Sequence, residues 1–228
     1  AITIPFAHPD TGTLQDFNSI STVVRQSNPD CLIHLDARLA AGNIDLNFSE
    51  MDIDAMSVDP STFGGPSGVA ALILSRRSHL SPLLIGATQE RARRAGLENH
   101  IGIIGFATAC DRAQKIMPEL IMRNHSIKKK VCDSLMKANA KSLDLDPDAS
   151  HSLAHMTSAY FPGIAASAVV AEFNRLGINI HAGSSCGSEE FEPSAQLAPV
   201  TGDDALSESV FRISWGHQTT DEDITEFK

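Results

Sequence analysis

The chain has 228 residues, a formal net charge of −10, 42% hydrophobic residues and 5% aromatic residues. The acidic balance argues against a nucleic-acid or anionic-membrane partner, and the low aromatic content argues against a base-stacking platform. No apolar run reaches the ~18 residues of a membrane span, and no signal peptide is recognisable. The cysteines are widely spaced with no Cys-x-x-Cys pair, which favours a cytoplasmic protein with reduced thiols over a disulfide or zinc scaffold.

The first part of the chain alternates strand and helix patterns. Ile2–Phe6 predicts a strand, and an amphipathic stretch to about Gln26 predicts a helix. Further strands are predicted at Cys31–Leu35, immediately before Asp59, and at Val69–Ile73. This alternation predicts an α/β fold with a mostly parallel sheet. Ligands of such sheets bind at the carboxyl ends of the strands, where Asp36 and the 59–66 turn fall.

A glycine-rich turn separates the two later strands. Gly64, Gly65, Pro66 and Gly68 favour a tight reversal, because glycine tolerates positive φ and proline fixes φ. By itself such a turn indicates only that the chain changes direction.

The second part of the chain predicts long helices followed by a second α/β unit. The helices run from Ile101 to about Lys141 with a break near Pro118, and the basic triplet Lys128–Lys130 predicts a solvated helix face. Further predicted elements are a strand near Leu153–Ser158, a helix near Ala165–Leu176, strands at Ile178–His181 and Val210–Trp215, and a last helix that opens with a capping box at Thr219–Glu222. We therefore expect two domains, residues 1–108 and residues 109–228.

Several motifs, in order along the chain, resemble those of class V aminotransferases, and most closely those of NifS-type cysteine desulfurases. Ser57, Gly65, Pro66 and Gly68 fall in register with the family's Ser-x-Ser-x-His-Lys-x-x-Gly-Pro-x-Gly turn. The other matches are Leu35-Asp36-Ala37 with Gly42, the polar segment Gln89–Asn99, Gly183-Ser184-Ser185-Cys186 with Glu192-Pro193-Ser194, the strand Phe211–Ser214, and Thr219–Glu222. About the first third of the family's chain has no counterpart, so we expect a fragment or processed product, with a short gene product as the alternative.

The resemblance implies a fold-type I structure, in which residues 1–108 are the latter half of a large cofactor domain and a small α/β domain follows. It implies a homodimer, pyridoxal phosphate as cofactor, and an ancestral reaction that releases sulfur from L-cysteine to give alanine and an enzyme persulfide. The positions it marks are Asp36 against the cofactor ring nitrogen, Ser57 and Ser61 at cofactor-binding positions, Arg212 on the substrate carboxylate, and Cys186 as the sulfur acceptor.

Each of these residues also has a structural interpretation that stays open. Asp36 can be a strand-end carboxylate without a ligand, and Arg212 can serve a structural ion pair. Cys186 can be a remnant that no longer receives sulfur.

Four positions depart from the family pattern. Thr62 stands at the position of the Schiff-base lysine, and imine formation requires an amine. Asp59 replaces a serine that helps to hold the cofactor phosphate, and a carboxylate repels a phosphate dianion. Leu39 and Leu97 replace a glutamine and a threonine that contact the cofactor. We therefore expect a degenerate relative that binds pyridoxal phosphate weakly or not at all and has little or no desulfurase activity.

The alternative is a non-enzymatic scaffold or persulfide-accepting subunit of a sulfur-transfer system. In that role the loop around Cys186 or the dimer surface would bind a sulfur-acceptor protein.

Overall fold

The computed structural model describes residues 1–143, 151–182 and 197–227. The chain forms two compact units. Unit 1 contains Ala1–Phe6 and Asp16–Met117, and unit 2 contains Ala7–Gln15 and Pro118–Lys228.

Unit 1 is built on a mixed β-sheet. In the described part of the chain its strand order is β1 (Ile2–Pro5), β2 (Ile33–Asp36), β3 (Ala55–Val58) and β4 (Ala71–Leu74). The first three strands are parallel, and β4 runs antiparallel to β3. This arrangement confirms the predicted α/β fold with a mostly parallel sheet.

Helix α1 (Phe17–Ser27) is preceded by its N-cap Asp16, whose side chain accepts a hydrogen bond from the Ser19 backbone N–H. Its apolar side packs on one face of the sheet, because alternate strand residues point to that face. Ile33 and Leu35 in β2 are fully buried there, whereas His34 and Asp36 lie on the opposite face. The buried members of this core are Ile4, Phe17, Ile33, Leu35, Ala37, Ile53 and Met56.

The helical region consists of the four-residue α2 (Gln89–Ala92) and the long α3 (His100–Lys137). The predicted break near Pro118 is wrong, because the helix continues through that residue. A proline removes one backbone donor. The helix continues because buried residues on both sides of the proline, such as Ala113 and Ile127, pack it into each unit. The division between the two units falls at Pro118. None of the helices among the described residues is both long enough and apolar enough to cross a membrane.

Unit 2 carries an antiparallel sheet. Among its described residues the strand order is β5 (Lys141–Ser142), β6 (Met156–Tyr160), β8 (Val210–Ser214) and β7 (His181–Ala182). The helices are α4 (Ala166–Arg175), α5 (Ala198–Thr201), α6 (Asp204–Ser207) and α7 (Asp221–Glu226). The predicted last helix is present, but its capping box is formed by Thr220 and Asp223, one residue later than predicted.

The core of unit 2 lies between this sheet and the residues of α3 that follow Pro118. Ile127, Val131 and Leu135 of α3 pack with Phe211 and Trp215. The predicted solvated face is confirmed for Lys129 and Lys130, which are exposed. It is wrong for Lys128, which is only 1% exposed. Its ammonium donates to the Ser152 hydroxyl at 2.7 Å and to the Leu153 carbonyl at 3.2 Å. Those acceptors satisfy a charge that burial would otherwise make costly.

Candidate functional site

The carboxyl ends of β2 and β3 bring together the polar residues predicted for the site in unit 1. Asp36 and Ser57 are register partners on the two parallel strands, so both side chains lie on the face of the sheet opposite the α1 core. The Ser57 carbonyl accepts a hydrogen bond of 3.0 Å from the Ala37 N–H, which extends the pairing past the strand end. The two strand ends are therefore held side by side.

The turn after β3 folds into a short 3-10 helix, Pro60–Phe63, with Asp59 as its N-cap. The Asp59 carboxylate accepts from the Ser61 backbone N–H at 2.8 Å. Gly64 ends the helix with φ of 87°, a conformation that favours glycine. Gly65 lies so close to Pro60 that an added Cβ would be 2.4 Å from the proline Cβ, which explains why this turn needs its glycines.

Thr62 is tied back to the segment after β2. Its hydroxyl donates to the Arg38 carbonyl at 2.8 Å and lies 3.2 Å from the Asp59 carbonyl. The side chain is thus used for closing the turn, in the way that threonine hydroxyls commonly bond to nearby backbone acceptors.

Arg38 is a member of the site that the sequence interpretation missed. Its backbone N–H donates to Asp36 Oδ1 at 3.1 Å. Its Nε lies 3.1 Å from both carboxylate oxygens, and its Nη2 lies 3.0 Å from Oδ2. The available signal was the Asp-Ala-Arg spacing at a strand end, which lets an arginine fold back onto the carboxylate two residues before it.

The electrostatics of the turn favour an ionised Asp59. The Ser61 hydroxyl and backbone N–H both donate to this carboxylate and hold its pKa below the ordinary value, and the positive charge of Arg38 acts in the same direction. Asp36, Arg38 and Asp59 thus contribute two negative charges and one positive charge to the same strand-end region.

Arg212 belongs to β8 in unit 2. Its Nη1 donates to the Pro9 carbonyl at 2.7 Å. Burial lowers the pKa of the guanidinium, and the nearby charge of Asp10 opposes that effect. The residues lining the small pocket beside it are Asp10, Ser158, His181, Leu197, Val210 and Arg212.

The turn His8–Thr13 is also in unit 2. The backbone N–H groups of Asp10 and Thr11 lie 3.2 and 3.3 Å from His8 Nδ1, and the Gly12 N–H donates to the His8 carbonyl at 2.8 Å. Gly12 has φ of 74°, as the tight reversal requires. The turn is therefore closed by its own side chain and backbone.

The surroundings of three other positions singled out in the sequence, Leu97, Leu39 and Cys186, are as follows. Leu97 is 88% exposed in unit 1. The Leu39 side chain is half-buried, and its backbone carbonyl faces the Asn43 amide at 3.4 Å. Cys186 lies outside the described residues.

Comparison with known proteins covers almost the whole chain. The aminotransferase class-V profile matches residues 2–227. A Bacillus subtilis (strain 168) protein named IscS 1 is 32% identical over 225 residues, which are 98% of this chain and 58% of the relative. The cysteine desulfurase IscS of Methanosarcina thermophila is 30% identical over 223 residues, which are 98% of this chain and 54% of the relative.

Two solved structures also align with almost the whole chain. A NifS-like protein and the NifS-like protein of Rickettsia africae ESF-5 align with TM-scores of 0.86 and 0.85, each at 25% identity. Both alignments take in 99% of this chain, and 58% and 59% of the two solved chains. The chain therefore spans somewhat more than half the length of the proteins it matches. A profile that runs from β1 to the last helix, together with these two close structural matches, shows that the chain belongs to the aminotransferase class-V family.

Proposed function

We propose that this chain is a cysteine desulfurase-like protein that does not attach pyridoxal phosphate and has little or no desulfurase activity. The observation that supports this most directly is Thr62 at the position of the family's Schiff-base lysine. Threonine offers no amine, and its hydroxyl is already engaged with the Arg38 carbonyl. The only lysine in the sequence of unit 1 is Lys115, which is exposed on α3.

The residues present do not fit pyridoxal phosphate. Asp59, at a phosphate-contacting position, presents a carboxylate whose lowered pKa keeps it charged, and its repulsion opposes a phosphate dianion. Asp36, at the position that would face the ring nitrogen, already pairs with the Arg38 guanidinium. Both observations concern charge, so they add to the missing amine as separate obstacles.

Five strongly exposed apolar residues of unit 1, which we call its exposed apolar surface, support a protein-binding role with a second copy of the chain as the partner. Leu83, Ile85, Leu97 and Ile101 are each at least 87% exposed, and Ile104 is 67% exposed. Ile101 and Ile104 are three residues apart on α3 and therefore neighbours on one side of that helix, and a contiguous exposed apolar face is typical of a protein-binding site. This surface also favours a second candidate function, a non-enzymatic subunit of a sulfur-transfer system with a sulfur-acceptor protein as a further partner.

The predicted compartment remains the cytoplasm, where thiols are kept reduced.

The proposal is tested by an absorbance scan of the purified chain with and without added pyridoxal phosphate, followed by borohydride reduction. The Methanosarcina thermophila relative treated in the same way serves as the positive control. We expect no stoichiometric, borohydride-reducible visible band from this chain. A band at one equivalent per chain, located by peptide mass spectrometry to Lys115 or another single lysine, would show that an amine reaches the cofactor and would overturn the proposal.

A further inference from the structure

We propose that Arg38 is a built-in counter-ion that closes the Asp36 carboxylate to a ring nitrogen or any other cationic group of a ligand. Arg38 would then determine which molecules the strand-end site of unit 1 admits. The inference rests on the proposed function, because it concerns the same site, but it assigns to one residue a role that the loss of the lysine does not explain.

The contacts of Arg38 use both oxygens of the carboxylate. Oδ1 accepts from the Arg38 backbone N–H and from Nε, and Oδ2 accepts from Nε, all at 3.1 Å. Nη2 lies 3.0 Å from Oδ2. An ionised carboxylate has about four lone-pair directions, and three N–H groups of Arg38 lie against them, because the single Nε hydrogen is shared between the two oxygens. A ligand N–H would have to compete with the guanidinium for both oxygens of Asp36.

The backbone around Arg38 holds the guanidinium in this place. Ala37 and Ala40 on either side are completely buried, and the Ala40 N–H donates to the Ala37 carbonyl at 3.1 Å. The Arg38 carbonyl accepts the Thr62 hydroxyl. The residue at the lysine position therefore fixes the same backbone segment that places the guanidinium on Asp36. This fixes the point from which the Arg38 side chain extends, while the side chain itself is 62% exposed.

The test uses pyridoxine as the probe, because it has the ring nitrogen but neither the aldehyde nor the phosphate. Its binding is thus independent of the missing amine at Thr62 and of the repulsion by Asp59. Calorimetric titrations would compare the unmodified chain with Arg38→Met and with Asp36→Asn/Arg38→Met. The matched control is Arg77→Met, since Arg77 is a similarly exposed arginine of unit 1 (57% against 62%) that also pairs with aspartates.

We expect Arg38→Met to bind pyridoxine about tenfold or more tightly than the unmodified chain, in line with one charge-assisted hydrogen bond. Arg77→Met should bind no better than the unmodified chain, and the added Asp36→Asn should remove the gain. If Arg38→Met does not fold, as judged by circular dichroism, Arg38→Gln replaces it with the same expectation. Equal binding by the unmodified chain and a folded Arg38 variant would overturn the inference.

The proposed function and the counter-ion role of Arg38 can each be overturned without the other. A reducible band from the unmodified chain with pyridoxal phosphate would overturn the proposed function and leave the pyridoxine comparison valid. Unimproved pyridoxine binding in the Arg38 variants would overturn the counter-ion role even if no such band is ever seen.

Discussion

Asp54 is a buried carboxylate of unit 1 that pairs with two arginines. Its side chain is 7% exposed and accepts hydrogen bonds from the Ile33 N–H at 2.9 Å, Arg25 Nη2 at 2.7 Å and Arg77 Nε at 3.1 Å. Burial of Asp54 acts to raise its pKa, but the Ile33 N–H and the two arginines outweigh that effect, so the pKa is lowered. Asp54 thus joins α1, β2 and the segment that follows β4.

Asp54→Asn should lower the free energy of unfolding by about 2–3 kcal/mol, because it leaves two guanidinium groups without their buried partner. Asp52→Asn, which changes a carboxylate 49% exposed in the same network, should cost less than about 1 kcal/mol. Urea titrations of both variants measure the difference. Equal losses in the two variants would contradict the role given to Asp54.

The same carboxylate predicts a dependence on acid. Because its pKa is lower in the folded chain, its contribution is complete above the unfolded value near pH ~4 and is lost as the pH falls below that value. Unfolding free energies measured from pH ~6 to pH ~3 should therefore fall more steeply for the unmodified chain than for Asp54→Asn. Parallel curves would refute this linkage.

His155 of unit 2 gives a second pH dependence at higher pH. Burial lowers the pKa of this imidazole to about 4, and the charges of Lys128 and Arg212 act in the same direction. The folded chain holds His155 neutral while the unfolded chain takes up a proton below pH ~6.5, so stability is complete above that pH and falls towards pH 4. The expected loss is on the order of 3 kcal/mol.

His155→Gln should remove that loss, because glutamine does not titrate. Urea unfolding of both proteins between pH ~8 and pH ~4.5 measures it, with circular dichroism at the upper pH as the check on folding. A variant that loses stability with acid as steeply as the unmodified chain would show that another group is responsible.

At the scale of single residues, the sequence predicted which residues occupy the site better than it predicted what surrounds each of them. The Asp36, Ser57 and Thr62 positions could be found by motif register, and the fold brings them to one edge of a sheet. Arg38 was missed although its partner Asp36 lies only two residues before it. Lys128 could not be placed, because whether a charged side chain enters a core depends on partners distant in sequence. Lys128, for example, finds Ser152 and Leu153 about two dozen residues later.

At the scale of elements, hydrophobic periodicity predicted most strands and helices within a few residues. It missed β5 (Lys141–Ser142), which is two residues long and exposed, so it has no alternating pattern to detect. It also overestimated the effect of Pro118, since helix packing on either side outweighs one lost hydrogen bond. The antiparallel order of unit 2 could not be predicted, because strand pairing depends on contacts across long loops.

Gly42 and Gly68 offer a matched test of the turns around the site. Both have positive φ, 75° and 83°, but a Cβ on Gly42 would lie 2.4 Å from Phe63 Cβ, whereas a Cβ on Gly68 would meet no atom within 4 Å. Gly68→Ala should cost only the backbone strain of about 1 kcal/mol. Gly42→Ala should cost about 2–4 kcal/mol, because the clash adds to that strain. Thermal unfolding of the two variants measures this, and similar losses would contradict the close packing.

At the scale of the whole molecule, the exposed apolar surface predicts self-association. Ile101→Glu should raise the dimer dissociation constant at least about tenfold, because it places a charge in an apolar contact. Val23→Glu, which changes an apolar residue 60% exposed on α1, is the control and should leave the constant unchanged. Sedimentation equilibrium measures both, and a chain that stays monomeric without any substitution would contradict the second-copy assignment.

The order of the unit 1 strands makes β1 and β4 the outer strands of the described sheet, and the two are not equivalent. β1 contains the exposed Pro5, which has no amide hydrogen to offer to another strand. β4 reads Ala-Leu-Ile-Leu, carries no charge, and leaves Leu72 48% exposed. Such an edge is a template for strand addition. When this chain is concentrated or warmed, aggregation should therefore begin along β4, and a lysine introduced at Leu72 should delay it.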